Sequence, residues 1–346
     1  MTLPGSAMTS ISKPTQAGDH LAIHISAAGG PDVLASRRVP IPQCGPDQVL
    51  IAVTAAGVNR HDINQRRRGP DSLHSPIPGL EVSGRIAAIG ENVRGLQPGD
   101  AVCALVDGGG YAEFALAHHG QVLPAPPAIA LQDAAALPEA LFTAWHNFFD
   151  VARLAPGEQV LIHGGTSGVG TIAIQMLRSM GFTVYATCGN DEKCAIAEGL
   201  GARGAFNYRS RPFEQGALEA TEGRGVDVIL DMAGTQYGHQ NVAALARRGR
   251  VIHLSPGSGS DLGIPLRELM RKEGVVTGSL LRPLPDRRKA EIAASLKARV
   301  WPLLGKEIVP LIAARYGLAD APLAHARLEG GELAGKILLD VGTRCN

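Results

Sequence analysis

The sequence predicts an α/β protein with two unlike parts, a β-rich barrel-like region and a doubly wound parallel sheet. Three observations carry that expectation. Between residues 21 and 135, short β-forming runs are separated by turn clusters. From residue 159 onward, strand-like and helix-like segments alternate, the pattern of a parallel sheet covered by helices on both faces. Between the first of those strands and its helix lies a glycine-rich turn, Gly164-Gly165-Thr166-Ser167-Gly168-Val169-Gly170.

In the first part, residues 48–55 (QVLIAVTA) and 82–89 (VSGRIAAI) are rich in β-formers and bounded by Pro, Gly, Asp or Asn. Pro76, Pro78 and Gly79 mark a rigid turn before the second run, and 95–100 (GLQPGD) closes a loop before a strand at 101–105. A helix is expected near 59–68. Residues 133–151 carry apolar positions at helical spacing, with Pro138 near the start of the main stretch. Strands are then expected at 159–163, 183–187, 226–231, 250–254 and 275–280, with helices at 169–180, 192–200 and 240–246. One long helix is expected over 287–304. The apolar run at 336–341 reads as a terminal strand that needs a sheet to join.

A chain of 346 residues fits two domains, at roughly 150 residues each. Its 33 basic against 32 acidic side chains leave a net charge of +1, which argues against a nucleic-acid partner. No apolar run approaches the ~20 residues of a membrane span. Five scattered cysteines without a CxxC pair suggest neither a disulfide framework nor a zinc lobe. They read as free thiols in a reducing cytoplasm. The first 20 residues, rich in Ser, Thr, Pro and Gly, read as a disordered leader, with Met8 an alternative start.

The glycine turn is the informative motif. Glycines let the backbone approach a pyrophosphate, and a helix N-terminus supplies N–H groups and positive dipole. Gly165 and Gly170 match the GxGxxG template, with Ser167 in the middle glycine's place. The alternative is a packing turn without a nucleotide, which the strand before and the helix after argue against. The next strand ends in Thr187-Cys188-Gly189, without the acid that would bind a ribose 2′-hydroxyl. Lys193 in the following helix and Tyr208 beyond the third strand suit a 2′-phosphate, hence NADPH. Asp191 and Glu192 oppose this but read as N-terminal charges of a helix. Lys193 also reads as an ordinary surface lysine. Among the histidines, His61, His146, His163, His253 and the pair His118-His119 show no zinc spacing, and no HExxH occurs. No metal is expected; His163 and His253 read as core residues.

These residues resemble the medium-chain dehydrogenase/reductase superfamily, in its zinc-free quinone oxidoreductase (zeta-crystallin-like) branch. The similarity spans residues 21–341 through AAGVNRHDINQRRRG (55–69), PIPGLEVSGRIAAIGENV (76–93), GGGYAEFAL (108–116), AAALPEALFTAWHNF (134–148), VLIHGGTSGVGTIAIQ (160–175), LGARGAFNY (200–208) and GKILL (335–339). NRHDINQRRRG, PEALFTA and TGSLLR (277–282) are most similar to the p53-inducible quinone oxidoreductases. Zinc-dependent members carry a Cys where this chain has Asn59 and a GHE triplet where it reads Gly79-Leu80-Glu81.

The resemblance implies a GroES-like β-barrel catalytic domain (21–135 and 281–346) beside a Rossmann NADPH-binding domain (136–280), with the site between them. It also implies a homodimer, often formed by pairing edge strands of two Rossmann domains, with 275–280 the candidate edge here. Asn59 would sit beside the nicotinamide and bond the substrate oxygen or the cofactor; its alternative is a helix cap. Thr143 would face the nicotinamide, against a plain helix threonine. Ser167, Gly168, Val169 and Gly170 would hold the pyrophosphate, and Gly189, Lys193 and Tyr208 the 2′-phosphate, although a serine is commoner where Gly189 stands. Leu254, Ser255, Leu280 and Leu281 would meet the carboxamide. Arg282 and Lys336 would approach the cofactor, or are surface cations.

The tyrosine that family members often carry after the Asn is absent here, leaving Asn64 and His74 as polar candidates near the substrate. The reaction expected is hydride transfer to a quinone. Its alternatives are reduction of α,β-unsaturated carbonyls, including thioesters admitted past a basic entrance at Arg66, Arg67 and Arg68, and cofactor binding with little catalysis.

Overall fold

The computed structural model describes residues 18–70, 75–257 and 259–342, so most of the expected leader, and His74, lie outside the described residues. β1 (Asp19–Ile25) and β2 (Leu34–Pro40) form an antiparallel ribbon. A mixed sheet is then built from β3 (Gln48–Val58), β4 (Glu81–Ile89), β5 (Ala101–Leu105), β6 (Phe114–His118) and β7 (Val122–Pro124), with α1 (Arg60–Arg68) inserted after β3. Inward-facing Val49, Ile51, Val53, Val82, Ile86, Val102 and Ala104 fill its core, as period-2 patterning requires.

The second unit begins with α2 (Pro138–Trp145), which continues as one π-helical turn, His146–Val151. Its sheet comprises β8 (Gln159–His163), β9 (Thr183–Cys188), β10 (Gly204–Asn207), β11 (Val226–Asp231), β12 (Leu245–His253) and β13 (Val275–Gly278). Between them run α3 (Gly168–Ser179), α4 (Asp191–Gly199), α5 (Phe213–Ala220), α6 (Gly238–Ala244) and α7 (Leu266–Lys272). All neighbours are parallel, in the order β10-β9-β8-β11-β12-β13. This is the 3-2-1-4-5-6 order of the doubly wound fold. Its ligand crevice lies at the carboxyl ends of the strands where the winding reverses, here β8 and β11.

α8 (Asp286–Arg299), β14 (Ile312–Gly317), α9 (Ala321–Glu329) and β15 (Lys336–Asp340) complete the chain. β15 finds the sheet it was expected to need, antiparallel to β3 with Ile337 opposite Val58. β14 pairs parallel to β15 and was not anticipated, because its residues are half-buried or exposed without alternation. The helix expected over 287–304 stops at Arg299, followed by a short 3-10 turn, Trp301–Leu303. Pro302 has no N–H, and its ring collides with the preceding turn. Near 240–254 the helix ends earlier and the strand starts earlier than expected. The polar stretch Ala246-Arg247-Arg248-Gly249 conceals an irregular strand in which Arg248 adopts φ 64° and the pairing with β11 shifts register.

One core joins the two units. Leu141, Phe142 and Trp145 of α2 pack with Ile172 and Met176 of α3, Leu105 of β5, Leu123 of β7 and Ile292 and Leu296 of α8. α2 therefore cannot move independently of either sheet. Among the described residues no helix is long and apolar enough to cross a membrane.

Candidate active site

The turn after β8 is shaped by what a side chain would hit. Gly164 has φ 67°, where a Cβ is strained. A Cβ on Gly170 would stand 2.3 Å from the Gly164 carbonyl oxygen, and one on Gly165 2.6 Å from Ala186 Cβ. Ser167 caps α3, its Oγ accepting from Gly170 N at 3.0 Å. The N–H groups of Gly168 and Val169 meet no protein acceptor among the described residues. Two free donors at a helix N-terminus suit an anion.

That turn is one wall of a groove of about 540 Å³, within the ~300–1,000 Å³ range of small-molecule sites. One end is formed by Gly189, Asn190, Lys193, Tyr208 and Arg209, the other by Asn59 and Lys336. The sequence-selected trio Gly189, Lys193 and Tyr208 is thus brought together. A Cβ on Gly189 would stand 2.9 Å from the Tyr208 hydroxyl, so the glycine where a serine is commoner lets that phenol close over the strand end. Lys193 Nζ donates to the Gly331 carbonyl across the groove, 2.7 Å. Asn190 Oδ1 accepts from Lys193 N, and Asp191 and Glu192 occupy the first turn of α4. Arg209 is a further cation at this end that the motif did not single out.

At the other end, Lys336 is no surface cation. It is 3% exposed, forms an ion pair with fully buried Glu81, and its Nζ donates to Asn59 Oδ1 at 2.6 Å. Asn59 Nδ2 donates to Glu81 Oε1 at 2.9 Å. Asn59 is also the N-cap of α1, in a capping box with Asp62, whose Oδ2 accepts from Asn59 N at 2.8 Å. The stem of Lys336 lies over the glycine turn, since a Cβ on Gly168 would stand 2.4 Å from Lys336 Cδ. An ammonium has three donors, and two are used by Glu81 and Asn59.

Several residues here carried no sequence signal. Glu139 N donates to Glu81 Oε2 at 2.9 Å, and Thr143 Oγ1 donates to Glu139 Oε1 at 3.3 Å. Burial, and next the charge of Glu81, push the Glu139 carboxyl up to about 7. Asp62 also accepts from Gly79 N at 3.1 Å and from Tyr111 OH at 3.0 Å; burial raises its carboxyl to about 6. Tyr111 OH lies 3.1 Å from His325 Nε2, and burial, then Arg66, lower that imidazole to about 4. Asn147, in the π turn, donates to Thr143 O and accepts from Ser279 Oγ at 2.6 Å, tying α2 to the segment after β13.

The remaining sequence candidates fall elsewhere. Leu254 N donates to Asp231 O, Ser255 Oγ accepts from Gly257 N, Leu280 is 68% exposed, and Leu281 packs on the shared core. None of the four lines the groove. Arg282 bonds His61 Nε2 at 2.8 Å and the Asp107 carbonyl. Asn64 is half-buried on α1. The basic entrance expected at 66–68 is not formed by Arg66 and Arg67, since both pair with Glu329 and Arg66 is buried. His163 is a satisfied core residue, bonded to Thr187 and Asn241. His253 is not fully satisfied, because its Nε2 meets no partner.

A family model for the alcohol dehydrogenase GroES-like domain matches residues 45–127, and one for zinc-binding dehydrogenases matches residues 168–297. The quinone oxidoreductase of Lama guanicoe is 35% identical over 329 residues, covering 92% of this chain and 96% of that protein. The chain belongs to the quinone oxidoreductase family. It is a branch of the medium-chain dehydrogenase/reductase superfamily. A quinone oxidoreductase from Pseudomonas syringae superposes with a TM-score of 0.82 at 26% identity, covering 93% of this chain and 99% of that one. A mycobacterial protein solved with NADPH gives 0.82 at 29% identity, covering 92% and 99%.

The zinc in that family description does not fit the donors present. Asn59 and Leu80 offer neither thiolate nor imidazole, and Glu81 is committed to an ammonium that would stand beside the ion. Among the described residues no group of three His, Cys, Asp or Glu side chains could hold a metal. A nicotinamide dinucleotide does fit, at the free N–H pair of Gly168 and Val169 and along the groove to its cationic end.

Removing one partner of a buried pair strands the other charge. Lys336→Met should therefore lose roughly 3–5 kcal/mol of stability, read by denaturant or thermal melting, and adding Glu81→Gln should restore much of it. Equal destabilisation by the single and double variants would contradict the pairing.

Proposed function

We propose that this chain is a zinc-free, NADPH-dependent quinone oxidoreductase. The observation that carries the reading is the single groove with a phosphate-type end at Gly189, Lys193, Tyr208 and Arg209 and a buried Asn59–Lys336–Glu81 cluster at the other. When bound, the nicotinamide supplies a hydride for an electron-poor acceptor. The protein's part is to fix distance and exclude water. Gly168 and Val169 hold the pyrophosphate through backbone N–H groups, while Ser167 and Gly170 shape the turn through their own hydrogen bond. Lys193, Tyr208 and Arg209 take the 2′-phosphate, with the Lys193–Gly331 bond exchanged or shared. Asn59 and Glu81 orient Lys336, whose third N–H is left for a cofactor or substrate oxygen. Thr143, bonded to Glu139, stands beside that cluster, while Leu254, Ser255, Leu280 and Leu281, which do not line the groove, and Arg282, bonded to His61 and Asp107, are left out of the site.

The four described cysteines form no disulfide, which supports a reducing, cytoplasmic setting. A homodimer is supported by β13, which closes one edge of the parallel sheet beside exposed Leu266, Met270, Val275 and Leu280. An unpaired edge with apolar neighbours invites strand pairing with a second copy.

The decisive assay compares NADPH and NADH oxidation with an ortho-quinone, a para-quinone and a short-chain enal. Rapid quinone turnover with NADPH preferred is expected; turnover of the enal alone would replace the quinone reading. Lys193→Glu should raise the NADPH Kd by tenfold or more and leave that for NADH nearly unchanged, and equal losses would remove Lys193 from the phosphate site. Elemental analysis should find no stoichiometric zinc, with activity surviving chelation; one zinc per chain would overturn the zinc-free reading. Val276→Pro removes an N–H that faces the open edge, since Ser279 N, of opposite parity, donates to β12, and should shift the protein to monomer in light scattering, whereas an unchanged dimer would locate the interface elsewhere.

A further inference from the structure

Helix α1 opens on a cation in a place that disfavours one. Arg60 is its first residue, directly after the N-cap Asn59, where the partial positive charge of a helix start repels a guanidinium. Among the described residues that guanidinium has no hydrogen-bond or ion-pair partner. The two carboxylates on the adjoining stretch are already taken, Glu329 by Arg66 and Arg67 and Glu332 by Arg327. Desolvation by the surrounding walls, and then the like charge of Arg67, pull the guanidinium below its ordinary value, with Glu329 opposing in part. Local rules broken without internal compensation concentrate at functional sites.

The space open to Arg60 is the cofactor groove, which it lines together with the glycine turn, and there the residue stays exposed. Its neighbours fix its place. Val58 stands opposite Ile337 of β15, Asn59 accepts from Lys336 Nζ, and the Lys336 stem covers Gly168. Arg60 therefore projects from the first unit's wall, while the free N–H groups of Gly168 and Val169 belong to the second unit's wall. The other groove cations are committed. Lys336 is neutralised by Glu81, and Lys193 and Arg209 stand with Gly189 and Tyr208 at the far end. Backbone N–H groups carry only partial charge, whereas a guanidinium offers full charge and a fork of donors that matches phosphate oxygens.

We propose that Arg60 binds the cofactor's diphosphate from the first unit's wall, facing the backbone N–H groups of Gly168 and Val169. This rests on the cofactor reading above and deepens it, because the diphosphate is then held by both units and not by the glycine turn alone. NADPH and NADH share that diphosphate. Arg60 therefore supplies affinity common to both, whereas Lys193 supplies the preference between them. The arrangement gives up stability for binding, since removing a cation from the helix start should leave the fold no weaker.

The test is titration calorimetry and thermal melting on the full chain and on Arg60→Gln, Arg60→Lys and Lys193→Glu. The probes are NADPH, NADH and adenosine 2′-monophosphate, which lacks the diphosphate. Arg60→Gln should melt no lower than wild type and bind the monophosphate as before. Its Kd for NADPH and for NADH should rise by the same factor, roughly tenfold or more, as for loss of a charge-assisted hydrogen bond. Arg60→Lys should recover part of that loss, because it keeps the charge without the fork. Lys193→Glu should give the converse pattern, with NADPH and the monophosphate weakened and NADH spared. Unchanged dinucleotide affinity in Arg60→Gln overturns the assignment. So does a loss confined to NADPH and the monophosphate, which would move Arg60 to the 2′-phosphate. A lowered melting temperature in Arg60→Gln with no recovery in Arg60→Lys makes the residue structural and overturns it too. A wild type that binds neither dinucleotide removes the cofactor reading itself, and this inference with it.

Discussion

Burying the Lys336–Glu81 pair is the constraint on which the rest of the molecule depends. Desolvating an ammonium and a carboxylate is favourable only when their remaining hydrogen-bonding capacity is met. Here the Asn59 amide bridges both charges and the Glu139 N–H takes the second Glu81 oxygen. The four residues come from β15, β4, the start of α1 and the start of α2. The C-terminal strand must therefore return to β3, α1 must begin where it does, and α2 must bring its N-terminus against β4. Any slip of β15 by one residue would reverse its faces and carry the ammonium out of the cluster.

The same geometry explains why the groove has a fixed inner wall. Lys336 crosses the glycine turn so closely that Gly168 has no room for a side chain, and Gly335 N donates to the Thr166 carbonyl. The strand that completes the first sheet thus touches the loop that opens the second. At the opposite end, Lys193 reaches Gly331, just before β15. The 330–336 stretch is held by the parallel-sheet unit at both ends of the groove, so an occupant between them would be gripped by both units at once.

What the sequence revealed and what it hid divide along contact range. The glycine turn was legible because strand, turn and helix are consecutive, and each glycine answers a local crowding. Gly189, Lys193 and Tyr208 were legible for the same reason, falling at strand ends and a helix start. Lys336 could be read as a surface cation, and Glu81 only as part of an altered triplet, because their pairing spans 255 residues and leaves no local period. Glu139 was hidden inside an apolar helix pattern, and Asp62 inside what looked like an ordinary capped helix. β14 was missed because it lacks alternation, and the end of α8 because one proline outweighed a good helical pattern.

The buried charges also bear on why Asn59 is an amide. A thiolate or carboxylate at that position would add a second anion beside Glu81, competing for the one ammonium. An amide supplies an acceptor to Lys336 and a donor to Glu81 without adding charge, so it joins the pair instead of dividing it. It cannot lend a proton, because both its hydrogens are amide hydrogens of very low acidity.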